Sequence, residues 1–96
     1  VTRDLHPTDG ARYLLERVAE TARGADYRAT IYTPTETFSA TAALGDDGSV
    51  ALAATGAPAE LHARLATIAK LVARDAAALR ADGLPAWPQR VLKWRK

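Results

Sequence analysis

Apolar residues between Ala11 and Ala22 recur at steps of three and four: Ala11, Leu14, Leu15, Val18, Ala19 and Ala22, with Arg12, Glu16, Glu20 and Arg23 falling elsewhere. This spacing predicts a helix over residues 9–23 with one stripe turned toward a core. Thr8 or Asp9 can accept hydrogen bonds from the orphan amides of its first turn, and Gly24 suits the left-handed residue that ends many helices. Residues 1–8 show no period and read as a lead-in.

From Tyr27 the period falls to two. Tyr27, Ala29 and Ile31 alternate with Arg28, Thr30 and Tyr32, predicting a strand over 27–33. Pro34-Thr35 turns the chain, since proline presets φ and donates nothing to a ladder. Phe38, Ala40, Ala42 and Leu44 then alternate with Thr37, Ser39, Thr41 and Ala43 in a second strand over 36–44. Gly45-Asp46-Asp47-Gly48 is a tight hairpin connection. A third strand over 49–55 places Val50, Leu52 and Ala54 inward, with Ser49, Ala51, Ala53 and Thr55 outward. Short turns between three such strands predict an antiparallel meander.

Helical spacing returns after Gly56-Ala57-Pro58: Leu61, Leu65, Ile68, Val72, Ala76 and Leu79 form a core stripe over 58–82, stopped by Gly83 and Pro85. That helix measures about 37 Å at 1.5 Å per residue. A seven-residue strand spans only about 23 Å, so the last helical turns are expected to overhang the sheet. In the tail, residues 84–96, Pro85 and Pro88 bracket Trp87 and forbid a regular helix before Pro88. Beyond them the chain is either a short helix or an edge strand with Leu92 and Trp94 on one side. The expected fold is α+β, a two-layer sandwich in the order α-β-β-β-α with both helices on one face, forming a single domain over 1–96.

Composition narrows the function classes. Of the 48% hydrophobic residues, 22 are alanine, leaving 24 larger apolar side chains for one modest core. Without cysteine there is no disulfide scaffold, thiol nucleophile or thiolate-bound metal. No apolar run is long enough to span a bilayer, and the charged first twenty residues do not resemble a secretory signal, so the expected setting is cytoplasmic. The net charge of +2 is uneven: nine Arg/Lys against eleven Asp/Glu through residue 83, then Arg90, Lys93, Arg95 and Lys96 with no acid.

Catalytic and metal-binding patterns are missing. His6 lies in the lead-in, and His62 sits one position off the core stripe without a second ligand at helical spacing. Asp46 and Asp47 occupy a turn, where such acids shape backbone, and the residues after them supply no further cation ligands. Ser39 and Ser49 have no nucleophile elbow, and Gly45 and Gly48 lead into a strand rather than a phosphate-cradling helix. Glu36 is placed to pair with Arg28 across the hairpin. The expectation is a non-enzymatic protein with no catalytic residue, cofactor or metal.

Two surfaces are expected to meet partners. The outward sheet positions include Thr30, Tyr32, Thr37, Ser39, Thr41, Ala51 and Ala53, and carry Arg28 as their single charge. Such a face suits plain solvation, and it also suits a covering layer, either the chain's own tail or a second copy. An alanine stripe on the long helix (Ala59, Ala63, Ala66, Ala73 and Ala77) reflects either helix propensity or close packing. A homodimer or another protein partner is the leading expectation. The alternative is nucleic-acid binding through Trp87, Arg90, Lys93, Trp94, Arg95 and Lys96, where indoles stack on bases and cations meet phosphates. Against that, tryptophans can anchor the tail to the core while the cations stay wet. The predicted element order over 9–82 resembles double-stranded-RNA-binding domains in topology alone. The lysine cluster such domains carry at the start of their last helix reads here Gly56-Ala57-Pro58-Ala59-Glu60, so no membership follows.

Overall fold

The computed structural model describes residues 8–95, so residues 1–7 of the lead-in, with His6, and Lys96 of the tail lie outside the described residues. The chain forms β1 (Ala11–Thr21), β2 (Gly24–Tyr32), β3 (Thr37–Gly45), β4 (Val50–Leu52), α1 (Ala59–Ala81) and β5 (Arg90–Arg95). The strands make one antiparallel sheet in the order β4-β3-β2-β1-β5. The class is α+β, and among the described residues there is one helix where two were expected and there are five strands where three were expected.

The largest correction is at residues 9–23, which form a central strand and not a helix. Leu14 and Leu15 are adjacent apolar residues, so the segment satisfies both periods. Burial decides between them. Ala11, Tyr13 and Leu15 are buried on the helix side, and Tyr13 is a residue the helical stripe leaves out. Val18, inside that stripe, is 65% exposed at a bulge between Arg17 and Ala19. Tertiary pairing overrides helix propensity because β2 and the distant β5 supply ladders on both sides of β1. Gly24 is likewise no left-handed cap. It begins β2 opposite Gly45, and a Cβ there would run into the Leu44 carbonyl.

The meander has the expected faces as far as Leu52; Ala54, expected inward, is exposed beyond the end of β4. Tyr27, Ala29, Ile31, Ala42 and Leu44 are buried beneath α1, with Phe38, Val50 and Leu52 partly buried around them. Register pairs Arg28 with Glu16 and Thr41, so Glu36 lies beyond reach at the turn, where its carbonyl accepts the Thr33 amide. β4 is shorter than expected, three residues. Asp47 shapes its hairpin as anticipated: its carboxylate accepts the Ser49 amide at 2.9 Å, and bonds from the Ser49 side chain and backbone hold its carboxyl below the usual range.

Helix α1 begins after Pro58 and ends in a Schellman arrangement. Gly83, at φ 74°, donates to the Arg80 carbonyl, and Leu84 donates to the Leu79 carbonyl. Strands β1 to β3 run nine to eleven residues, longer than the seven used for the expected overhang, and their hairpin tips reach the end of the helix. Its last turn is tied to the hairpin tips by Arg80, which meets Asp46 at 2.9 Å and the Ala22 carbonyl at 3.4 Å. Leu65, Ile68, Ala69, Ala73 and Ala76 are buried, so Ala73 of the supposed second stripe belongs to the core, while Ala59, Ala63 and Ala77 are exposed. Alanines on both the helix and the sheet (Ala29, Ala42) let the layers approach closely.

Candidate interaction surfaces

The tail closes the fold. Trp87 is 1% exposed and joins the core from the loop that follows α1. Three hydrogen bonds fix that loop to β1 and β2: Arg17 Nη1 donates to the Trp87 carbonyl (2.8 Å), the Tyr27 hydroxyl to the Pro88 carbonyl (2.6 Å), and the Arg17 amide to the Gln89 carbonyl (2.9 Å). Burial raises the Tyr27 pKa to about 12; the Arg17 cation works against that shift and Glu20 adds to it. Two buried polar atoms, Tyr13 Oη and Trp87 Nε1, have no hydrogen-bond partner among the described residues. Each is a cost to the core, since burial strips water from it without replacement.

The outer face of the sheet carries two contrasting halves. Over β3 and β4, Thr37, Ser39, Thr41, Ala43 and Ala51 are exposed and uncharged. There the small side chains of Ala43, Ala51 and Ala53 leave an open depression of about 620 Å³, lined also by Val18, Thr41 and Asp26. Over β1 and β5 the register adds charge that a three-stranded reading could not foresee. Arg12 lies between Tyr32 and Trp94, and Glu16 between Arg28 and Arg90. At the centre Leu14 and Thr30 are 2% and 5% exposed. Thr30 is therefore a buried residue and offers no contact, as is Trp87. Tyr32 is half-buried, whereas Ala53 is exposed.

Strand pairing splits the basic tail. Arg90, Leu92 and Trp94 share the outer face with Leu14, their register partner row, while Val91, Lys93 and Arg95 point with Leu15 and Tyr13 toward the helix side. Trp94 is 48% exposed, and its Nε1 donates to the Asp9 carbonyl at 2.9 Å. The cations that looked like one cluster therefore serve two surfaces.

On the helix side α1 covers β3 and β4 more closely than β1 and β2, and no Cα of α1 lies within 8 Å of one in β5. The gap is a groove of two adjoining depressions, about 330 and 310 Å³, which share Ile68, Leu71 and Arg95. Near the start of α1, half-buried His62 meets Thr55 Oγ1 at 3.3 Å beside an open depression whose other lining residues are Leu52, Ala54, Gly56, Ala57 and Ala59. The Thr55 hydroxyl is engaged by the Ala57 amide, and among the described residues no carboxylate lines the site. Among the described residues no group of three His, Cys, Asp or Glu is placed to hold a metal ion, and no helix is long and apolar enough to cross a membrane. Comparison of the chain with protein-family models, with curated proteins and with solved structures finds no match, so the functional reading rests on these surfaces alone.

Proposed function

We propose that this chain is a non-enzymatic protein-interaction module that self-associates through the outer face of β3 and β4. The observation that carries the reading is the run of exposed, uncharged, short side chains on β3 and β4, bordering a depression with Val18 standing 65% exposed at its rim; Asp26 of β2, an outer-face charge besides Arg28, is the charged residue among its described lining. Two copies related by a twofold axis would stack these faces with few like charges opposed, and small side chains allow the backbones to approach. The more charged half, over β1 and β5, stays at the edge of such an interface. Sedimentation velocity across a concentration series tests it. A reversible dimer is expected, abolished by Thr41→Arg or Ala51→Arg. A monomer at high micromolar concentration, or a dimer indifferent to both substitutions, overturns it.

A second reading, nucleic-acid binding, draws support from the row Tyr32–Arg12–Trp94 with Arg28 and Arg90 on the same face. Exposed Trp94, Arg28 and Arg90 surround the buried Leu14 and Thr30 there, and aromatic and guanidinium planes suit stacked single-stranded bases. A single-stranded oligonucleotide should then quench Trp94 emission, with binding that weakens steeply as salt rises. Absence of quenching at low salt eliminates it.

A further inference from the structure

β5 is an edge of the sheet, and its hydrogen-bonding pattern identifies which groups face outward. The Arg17 amide donates to the Gln89 carbonyl, so residues 89, 91, 93 and 95 bond to β1, and Arg90, Leu92 and Trp94 direct their amides and carbonyls away from the sheet. The Trp94 carbonyl is covered by Arg95 Nη1 at 2.9 Å; among the described residues the outward groups of Arg90 and Leu92 have no partner segment. Beside this edge lies the groove left by α1, with Ile68, Leu71 and Val91 as its apolar floor. Arg64 and Arg74 at its rim already meet Glu60 and Asp75, at 3.0 and 3.5 Å. The charge left over is on Lys93 and Arg95, which form no ion pair with a described residue.

We propose that β5 accepts an extended acidic segment of another protein as a sixth strand, its carboxylates toward Lys93 and Arg95 and its intervening apolar side chains beside Leu92 and Trp94. Main-chain bonds to an open edge give such additions their affinity, and alternate side chains give specificity. Charge selects the occupant. A second copy pairing through β5 would oppose Arg90, Lys93 and Arg95 on both strands with no acid between them, and cations on an edge deter such self-pairing. An acidic strand relieves that repulsion. The methylenes of its glutamates would lie over Ile68 and Leu71, and Leu71 is already 42% exposed. This surface is separate from the β3–β4 face, so the two associations can fail independently.

The probe is an eight-residue peptide of alternating glutamate and valine, titrated into the whole chain and into the Thr41→Arg variant while backbone amides are followed by NMR. The amides of Arg90 and Leu92 are expected to shift and to exchange more slowly, while those of Val91 and Lys93, already bonded to β1, change little. A lysine-for-glutamate peptide, or one N-methylated at alternate amides, is expected to bind at least roughly tenfold more weakly, a difference of about 1.4 kcal/mol. Lys93→Glu with Arg95→Glu is expected to cause a similar loss. The peptide controls need no folded variant. Equal binding of glutamate and lysine peptides, no binding of either, or displacement of the peptide by a single-stranded oligonucleotide would each overturn the proposal. So would protection of the Leu92 amide that grows with protein concentration alone, which would make a second copy the occupant.

Discussion

Removing the Trp87 side chain tests the central packing claim, that a loop residue and not a second helix completes this core. A buried tryptophan hides roughly 150–250 Å². At about 25 cal/mol per Å² that is worth roughly 4–6 kcal/mol. The indole N–H is buried without a partner, which returns about 1–3 kcal/mol of that gain. Trp87→Ala is therefore expected to cost about 3–5 kcal/mol once the cavity is included, the range typical of such truncations. The loop's backbone anchors survive the substitution, because Arg17 and Tyr27 donate to carbonyls rather than to the indole. A domain of this size carries about 5–14 kcal/mol of stability in all, so such a loss should lower the urea midpoint steeply. Trp94→Ala is the internal control. That side chain is 48% exposed and gives up one hydrogen bond to Asp9, so about 1–2 kcal/mol is expected. Urea unfolding followed by far-ultraviolet circular dichroism measures both. Emission separates them as well: with Trp94 removed the remaining indole should fluoresce at short wavelength, and with Trp87 removed at long wavelength. Equal destabilisation by the two substitutions, or long-wavelength emission from Trp87 alone, would refute the packing argument.

Other outcomes follow from particular groups. Tyr13→Phe removes an unpaired buried hydroxyl while keeping the ring, so stability should stay level or rise by up to about 1–2 kcal/mol; a loss of that size would mean the hydroxyl has a partner. Burial raises Tyr27 from the ordinary value of 10.0 to about 12, so its neutral form is the one the fold favours. The stability advantage of the native chain over Tyr27→Phe should therefore be constant below about pH 10 and shrink as pH climbs through 12. One phenol absorbing near pH 12 should vanish in that variant. Gly24→Ala forces a Cβ against the Leu44 carbonyl and should destabilise the β2–β3 ladder by more than about 1 kcal/mol, visible as faster amide exchange in β3. Arg80 and Asp46 pair at 2.9 Å but are 44% and 36% exposed, so a double-mutant cycle should give at most about 1 kcal/mol, falling as salt is added.

What the sequence determined by itself is local. Alternation from Tyr27 to Leu52 placed the inward and outward residues of β3, β4 and β2 from Tyr27 onward, because a strand's side chains can only alternate and the turns at Pro34 and Gly45–Gly48 fix its register; the start of β2 at Gly24 was not legible. The long helix and its stop at Gly83 were equally legible, since the 3.6-residue period and a positive-φ glycine leave marks in any chain. The nature of β1 was not. Ala-Arg-Tyr-Leu-Leu satisfies both periods, and only a partner about eighty residues away, β5, makes the strand the lower-energy choice by giving its backbone a second ladder. That same pairing decided where the candidate surfaces lie. It sent Arg90 and Trp94 to one face and Lys93 and Arg95 to the other, drew Trp87 into the core, and left an open edge beside a cationic groove. Pairing between distant segments depends on loop closure and on which layers fill the remaining volume, and neither quantity is written in local spacing.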